Sequence, residues 1–213
     1  MKQKIPSPSR KTRLEEDRLA ELLDVAAEVF LAEGFAGAST NEIARRANSS
    51  KETFYSRFPN KESLFTAVIE RRMKSVLEEV TTLLPREAPM EDTLREFGSR
   101  FLRTVLSEKQ IRLIRLISME SSRFPALGEL FFQLGPKRGQ AFLADYLAGQ
   151  VQQHRLRDGD TARMAEHYMS LLSGGAVRWI ILGLRRGPLR RDKLEEHLEA
   201  ALQAFLNAYA HKA

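Results

Sequence analysis

The chain has 213 residues, 43% hydrophobic and 29% charged, the balance of a soluble globular protein with room for one large domain or two unequal ones. Cysteine is absent, which excludes a disulfide framework, a thiol nucleophile and a thiolate metal site. The net charge of +6 and pI near 9.7 are compatible with a polyanionic partner but do not establish one.

The opening residues hold Lys2, Lys4, Arg10, Lys11 and Arg13 and no acid up to position 13, with Pro6, Ser7, Pro8 and Ser9 between them. This composition predicts an arm that is disordered when free, serving either as a solubilising tail or as a nucleic-acid contact. The start has no apolar core of a signal peptide. The longest strongly apolar run, A-V-R-W-I-I-L-G-L at 176 to 184, is interrupted by Arg178. It falls short of the roughly 20 residues a bilayer takes, so a cytoplasmic protein without a membrane partner is expected.

Leu19, Leu22, Leu23, Ala26, Ala27, Phe30 and Leu31 recur with a helical period. They predict an amphipathic first helix closed at Gly34, a natural left-handed C′ residue. Ser39 opens S-T-N-E, a capping box with Glu42, and predicts a second helix through Ile43, Ala44 and Ala47. Asn48 tolerates positive φ and should end that helix early. Ser50 caps a third helix, stopped at Pro59-Asn60, and Asn60 caps a fourth that runs to about Leu84. Further helices are expected at about 90–106, 108–122, 125–153 (with a break admissible at Gly135-Pro136), 160–185 and 190–211. No period-2 alternation and no repeat occur. The predicted class is all-α, with about nine helices.

The short third helix raises the question of its purpose. It carries Phe54, Tyr55 and Phe58 among Lys51, Arg57 and Lys61. At about 100° per residue, Phe54 and Phe58 share one face, which can dock on the first helix and on Ile43 and Ala47. Burying them is what lets so short a helix persist, since isolated helices under about 12 residues are marginal. The opposite face presents Glu52, Thr53 and Ser56, flanked by Lys51, Tyr55 and Arg57. Donors, acceptors and long cations on one face suit a major groove and its phosphates. Tyr55 is expected to lay its ring on the core edge and keep its hydroxyl free for a phosphate. A tri-helical corner inside a larger bundle would show the same spacing.

From 39 to 64 the chain reads S-T-N-E-I-A-R-R-A-N-S-S-K-E-T-F-Y-S-R-F-P-N-K-E-S-L. This closely resembles the DNA-binding domain of TetR-family repressors, whose signature runs roughly T-T-x-x-x-I-A-x-x-A-G-V-S-x-G-T-x-Y-x-x-F-x-x-K-x-x-L. The resemblance implies that Thr40, Asn41, Ser50, Lys51, Thr53, Tyr55, Ser56, Arg57 and Lys61 face a double-stranded DNA operator. Asn48 and Ser49 replace the usual Gly-Val of the turn, and Glu52 stands where an uncharged or basic residue is common. Glu52 joins the DNA-facing set by its position, either accepting from a cytosine amino group or repelling phosphate. The expected organisation is a basic arm over 1–16 reaching the minor groove, a helix-turn-helix domain over 17–62 and an effector-binding and dimerisation domain over 63–213.

The run from Ile111 to Arg138 resembles the AefR-like subgroup of the same family, which implies a homodimer and a small-molecule effector. For the dimer interface the candidates are Gly174 and Gly175, where mid-helix glycine allows close approach, and Leu198, Leu202 and Phe205 of the last stripe. For the ligand they are the apolar Phe101, Phe131 and Trp179, with Glu120, Arg123 and His167 as orienting polar groups. The four histidines include no pair at i, i+3 or i, i+4, and no catalytic or phosphate-loop motif occurs. No catalytic site, metal or cofactor is therefore expected. The whole reads as a repressor that dimerises on a palindromic operator and is released by an effector. An activator, a ligand-independent regulator or a helical interaction module are the alternatives.

Overall fold

A computed structural model describes residues 10–81, 84, 88–184 and 190–211, with the side chains of 10–13 left aside. The basic arm expected over 1–16 therefore lies largely outside the described residues. Ten helices occur among them: α1 Arg10–Gly37, α2 Thr40–Arg46, α3 Lys51–Arg57, α4 Lys61–Val80, α5 Met90–Val105, α6 Glu108–Glu120, α7 Pro125–Leu134, α8 Pro136–Gln152, α9 Thr161–Ile181 and α10 Arg191–Tyr209. The class is all-α. An isolated antiparallel bridge between Leu156 and Ala210 is the extended pairing among the described residues. None of these helices is long and apolar enough to cross a membrane. The chain divides into two compact units between Glu70 and Arg71, and α4 runs through the division.

In the first unit, Leu22, Leu23, Ala26, Val29 and Phe30 of α1 are buried as their period requires. The regular helix stops at Gly34 as expected, where φ 77° and ψ 170° leave the helical region, and the span to Gly37 resumes beyond that kink. That kink turns Phe35 inward. Its ring meets Phe65 edge-on at 5.1 Å, and Phe65 meets Phe30 at 4.8 Å. Ser39 caps α2 by accepting from the Glu42 amide. Only that half of the capping box forms, since the Glu42 carboxylate turns out to Arg45 at 3.0 and 2.7 Å. Asn48 takes φ 48°, and the Ser49 amide bonds back to the Ala44 carbonyl at 2.9 Å, which is the turn between α2 and α3.

The second unit is built around α5, α8, α9 and α10, which pack on one another. Phe97, Leu147, Tyr168, Leu172, Leu202 and Phe205 are essentially inaccessible. Tyr168 donates to the Leu94 carbonyl at 2.9 Å, and burial pushes its hydroxyl pKa well up. Gly98 permits the close approach of α5, because a Cβ there would lie 2.5 Å from Leu198 Cδ1 and 2.9 Å from the Tyr168 oxygen. The long helix expected over 125–153 is broken at Gly135, with Pro136 starting α8. A Cβ on Gly135 would meet Met73 Sδ at 2.7 Å. Helix α4 stops at Val80 rather than near Leu84, and the Thr81 hydroxyl donates to the Leu77 carbonyl at 2.7 Å.

The last apolar stripe finds its partners within the protomer. Leu198, Leu202 and Phe205, expected at a dimer interface, are buried against α5 and α9 of their own protomer. A strong apolar stripe is satisfied by the nearest helices, and α10 spends its own inside the unit.

Candidate nucleic-acid interface and ligand cavity

Helix α3 has seven residues and survives by its ends and its underside. The Ser50 hydroxyl accepts from the Thr53 amide at 3.1 Å and donates to Thr53 Oγ1 at 2.8 Å. Phe54 and Phe58 are 1% and 6% exposed, with ring centroids 5.9 Å apart. The other side is open: Lys51, Glu52, Thr53, Ser56 and Arg57 are all exposed. Ser50 and Asn41 are exposed beside them, and Thr40 is half-buried. Apart from Lys61, which starts α4, the residues expected to face DNA are thus brought to the outer side and N-cap of α3 and the first turn of α2.

Two of them do more than expected. The Tyr55 hydroxyl is not free. It pairs with Thr40 Oγ1 at 3.1 Å and donates to Asn41 Oδ1 at 3.3 Å, tying α3 to the first turn of α2. Lys61 is not a loose cation either. Its ammonium donates to the Ala36 and Ala38 carbonyls at 2.9 and 3.3 Å and lies 5.1 Å from the centre of the Phe35 ring. Lys61 therefore holds the kinked end of α1, and one of its three N–H groups is left for an outside acceptor.

Tyr55→Phe removes the tie to α2 while keeping the ring. It should cost about 0.5–1 kcal/mol, the low end for an exposed hydrogen bond, visible as a small drop in the unfolding midpoint. A variant as stable as the parent would show that the tie does not hold.

Acids at such a surface oppose phosphate unless neutralised. Glu42 is neutralised by the Arg45 fork, which holds its carboxyl below the usual range. Glu52 meets no cation among the described residues.

In the second unit, a cavity of about 480 Å³ lies among α4 to α9. Phe101 and Phe131, expected to line a ligand site, do line it. Glu120, Arg123, His167 and Trp179 do not. Glu120 and Arg123 stand at the C-terminal end of α6, outside the lining. His167 is exposed and pairs through Nδ1 with the Tyr209 hydroxyl. Trp179 lies two residues past Val177, about 200° around α9 from the lining face, and is 47% exposed. The polar lining missed from sequence consists of Gln110, Gln140, Glu166, Ser170 and Ser173. Glu166, Ser170, Ser173 and Val177 share one face of α9, a periodicity that apolar-stripe reasoning passes over.

The outer side of α9 is the third feature. Leu171, Trp179 and Leu182 are large and exposed there, with Gly174 and Gly175 between them. A Cβ added at either glycine would meet nothing within 4 Å.

Comparison with known proteins gives three consistent results. Residues 22–68 match the model for bacterial regulatory proteins of the tetR family, and 92–211 match the AefR-like transcriptional repressor C-terminal domain. Among solved structures, a TetR-family transcriptional regulator from Mesorhizobium loti superposes with a TM-score of 0.82 at 31% identity over 95% of this chain and 100% of its own. The flavonoid-responsive regulator FrrA gives 0.81 at 31% identity over 93% of this chain and 100% of its own. The uncharacterized HTH-type transcriptional regulator YvkB of Bacillus subtilis is 26% identical over 190 residues, covering 88% of this chain and 96% of YvkB.

Proposed function

The chain belongs to the TetR family of bacterial regulatory proteins, as a DNA-binding transcriptional regulator and not an enzyme, and from that premise we propose that it is a ligand-released homodimeric repressor. The domain over 17–62 reads the operator, the arm over 1–16 adds backbone or minor-groove contacts, and 63–213 dimerises and binds the effector. The observation that carries this reading is the open polar side of α3, underpinned by buried Phe54 and Phe58. Lys51, Arg57 and the remaining N–H of Lys61 meet phosphate, while Ser50, Thr53 and Ser56 supply hydroxyls to phosphate or base edges. The protein acts in the cytoplasm, where its operator is.

The effector occupies the cavity of the second unit. A neighbour named flavonoid-responsive supports control by a small molecule. Helix α4 is the covalent link, carrying Lys61 at its start and the lining residues Met73 and Val76 further on. The subunits pair through the exposed side of α9, around Gly174, Gly175 and Leu171, in place of the α10 stripe.

The test is a palindromic duplex selected from a fragment pool by the protein itself, followed by a salt titration and a transcription assay. Affinity should fall by a power law in salt, with a slope near one per phosphate neutralised, and the bound promoter should be silenced. Salt-independent retention would refute DNA reading, and raised transcription would make the protein an activator.

Glu52 supplies a sharper check. At the first turn of α3 a carboxylate gains about 0.3–1 kcal/mol from the helix dipole, which would explain its presence without any role in reading. Its place opposite Phe54 and Phe58 turns it toward the groove floor, where it accepts from a cytosine amino group. Glu52→Gln should weaken operator binding, leave random-duplex binding equal or tighter, and reduce the specificity by about 1–3 kcal/mol at one base pair. If both affinities rise together, Glu52 only repels phosphate.

A further inference from the structure

Glu166, Ser170, Ser173 and Val177 follow at i, i+4, i+7 and i+11 along α9, and all four line the cavity of about 480 Å³. At about 1.5 Å of rise per residue, this face runs about 16 Å from a carboxylate through two hydroxyls to an apolar end. The cavity wall is therefore graded, not uniformly greasy.

The charge at the polar end has one sign. Among the described residues no lysine, arginine or histidine lines the cavity. Glu166 is exposed at the edge of the space and has no ion pair there. Beside it, Gln140 donates its Nε2 to the Ala162 carbonyl at 3.0 Å, which leaves its amide oxygen as a further acceptor. Gln110 is 3% exposed and its amide oxygen accepts from Arg72 Nε at 3.3 Å, so its amino group remains a donor on the lining.

An anionic head brought to Glu166 would face like charge, and no ion pair on Glu166 offsets it. A protonated amine there donates a charge-assisted hydrogen bond to Glu166 and a second to the Gln140 oxygen. Its apolar body leaves water against Phe101, Ile114 and Val177. Resting on the reading of this cavity as the effector site, we propose that its ligand is an amphipathic cation, a protonated amine held at Glu166 on an apolar body on the order of 16 Å long.

The test uses the full-length protein with dodecylamine, dodecanol and dodecanoate below their micelle concentrations, titrated by calorimetry. In the parent the amine should bind at least about tenfold tighter than the carboxylate, with the alcohol between, because attraction and repulsion at one carboxylate add. Glu166→Gln should bring amine and carboxylate to within about threefold of each other by moving both. Ser173→Phe, which fills the middle of the space, should remove amine binding without lowering the melting temperature. If that variant fails to fold, Val177→Phe serves the same purpose. A carboxylate bound as tightly as the amine, a preference unchanged in Glu166→Gln, or amine binding that survives the filled cavity would each overturn the proposal. Operator release is followed in the same titrations. Glu166-dependent amine binding without release supports the ligand class and refutes the effector reading alone.

Discussion

Phe54→Ala should unfold the N-terminal unit instead of merely weakening its grip on DNA. The ring is 1% exposed and packs against Phe58 and Tyr55, at centroid distances of 5.9 and 5.3 Å. Truncating a buried phenylalanine costs about 3–5 kcal/mol. A unit of this size has little stability in reserve, and α3, with seven residues, cannot stand without its buried side. Because the two units have separate cores, the loss should appear as an early transition in chemical unfolding, with the later transition unchanged. Protease cleavage between Ser39 and Asn60 should rise in step. A single unfolding transition at the parent's midpoint would show that Phe54 does not anchor the helix. The contrast with Tyr55→Phe separates anchoring from tying, since only a hydroxyl is lost there.

Gly175→Leu should produce monomers from a protomer that is itself undamaged. No atom lies within 4 Å of a Cβ at this position, so the side chain enters open space. Helix propensity favours the change by about 1 kcal/mol, and the protomer should melt no lower than the parent. Any loss of assembly then reports on contact with a second copy across α9. Sedimentation at low micromolar concentration should show the monomer. Affinity for the palindrome should fall by two orders of magnitude or more, on the order of 3 kcal/mol, because two heads no longer bind as one. Trp179, one turn along α9 and already 47% exposed, should shift its emission to the red as its face is uncovered. A variant that stays dimeric would remove the glycine-mediated contact.

Much of the first unit was legible in the sequence. Local signals specify it: Ser39 and Ser50 cap, Asn48 takes the positive φ it tolerates, and the Phe54–Phe58 spacing chooses the buried side. Each acts within a few residues, so a linear reading reaches it. The partners of Tyr55 and Lys61 were not legible. Thr40 lies 15 positions from Tyr55, and the Ala36 carbonyl 25 from Lys61, and only the fold brings these groups together.

In the larger unit the sequence alone determined helices, their approximate bounds and the break available at Gly135, since period and breakers are properties of the chain. Which helix met which was decided by tertiary structure. Leu198, Leu202 and Phe205 form as good a stripe for a second subunit as for α5 and α9, and hydrophobic burial carries no address. The opening of Gly98 toward Leu198 helps direct that stripe inward, leaving the weaker side of α9 uncovered. The cavity was decided in the same way. Phe101 and Phe131 could be guessed because aromatics line most spaces. Glu166 and Ser170 could not, because on a helix read by itself a polar residue beside a cavity and one in water look alike.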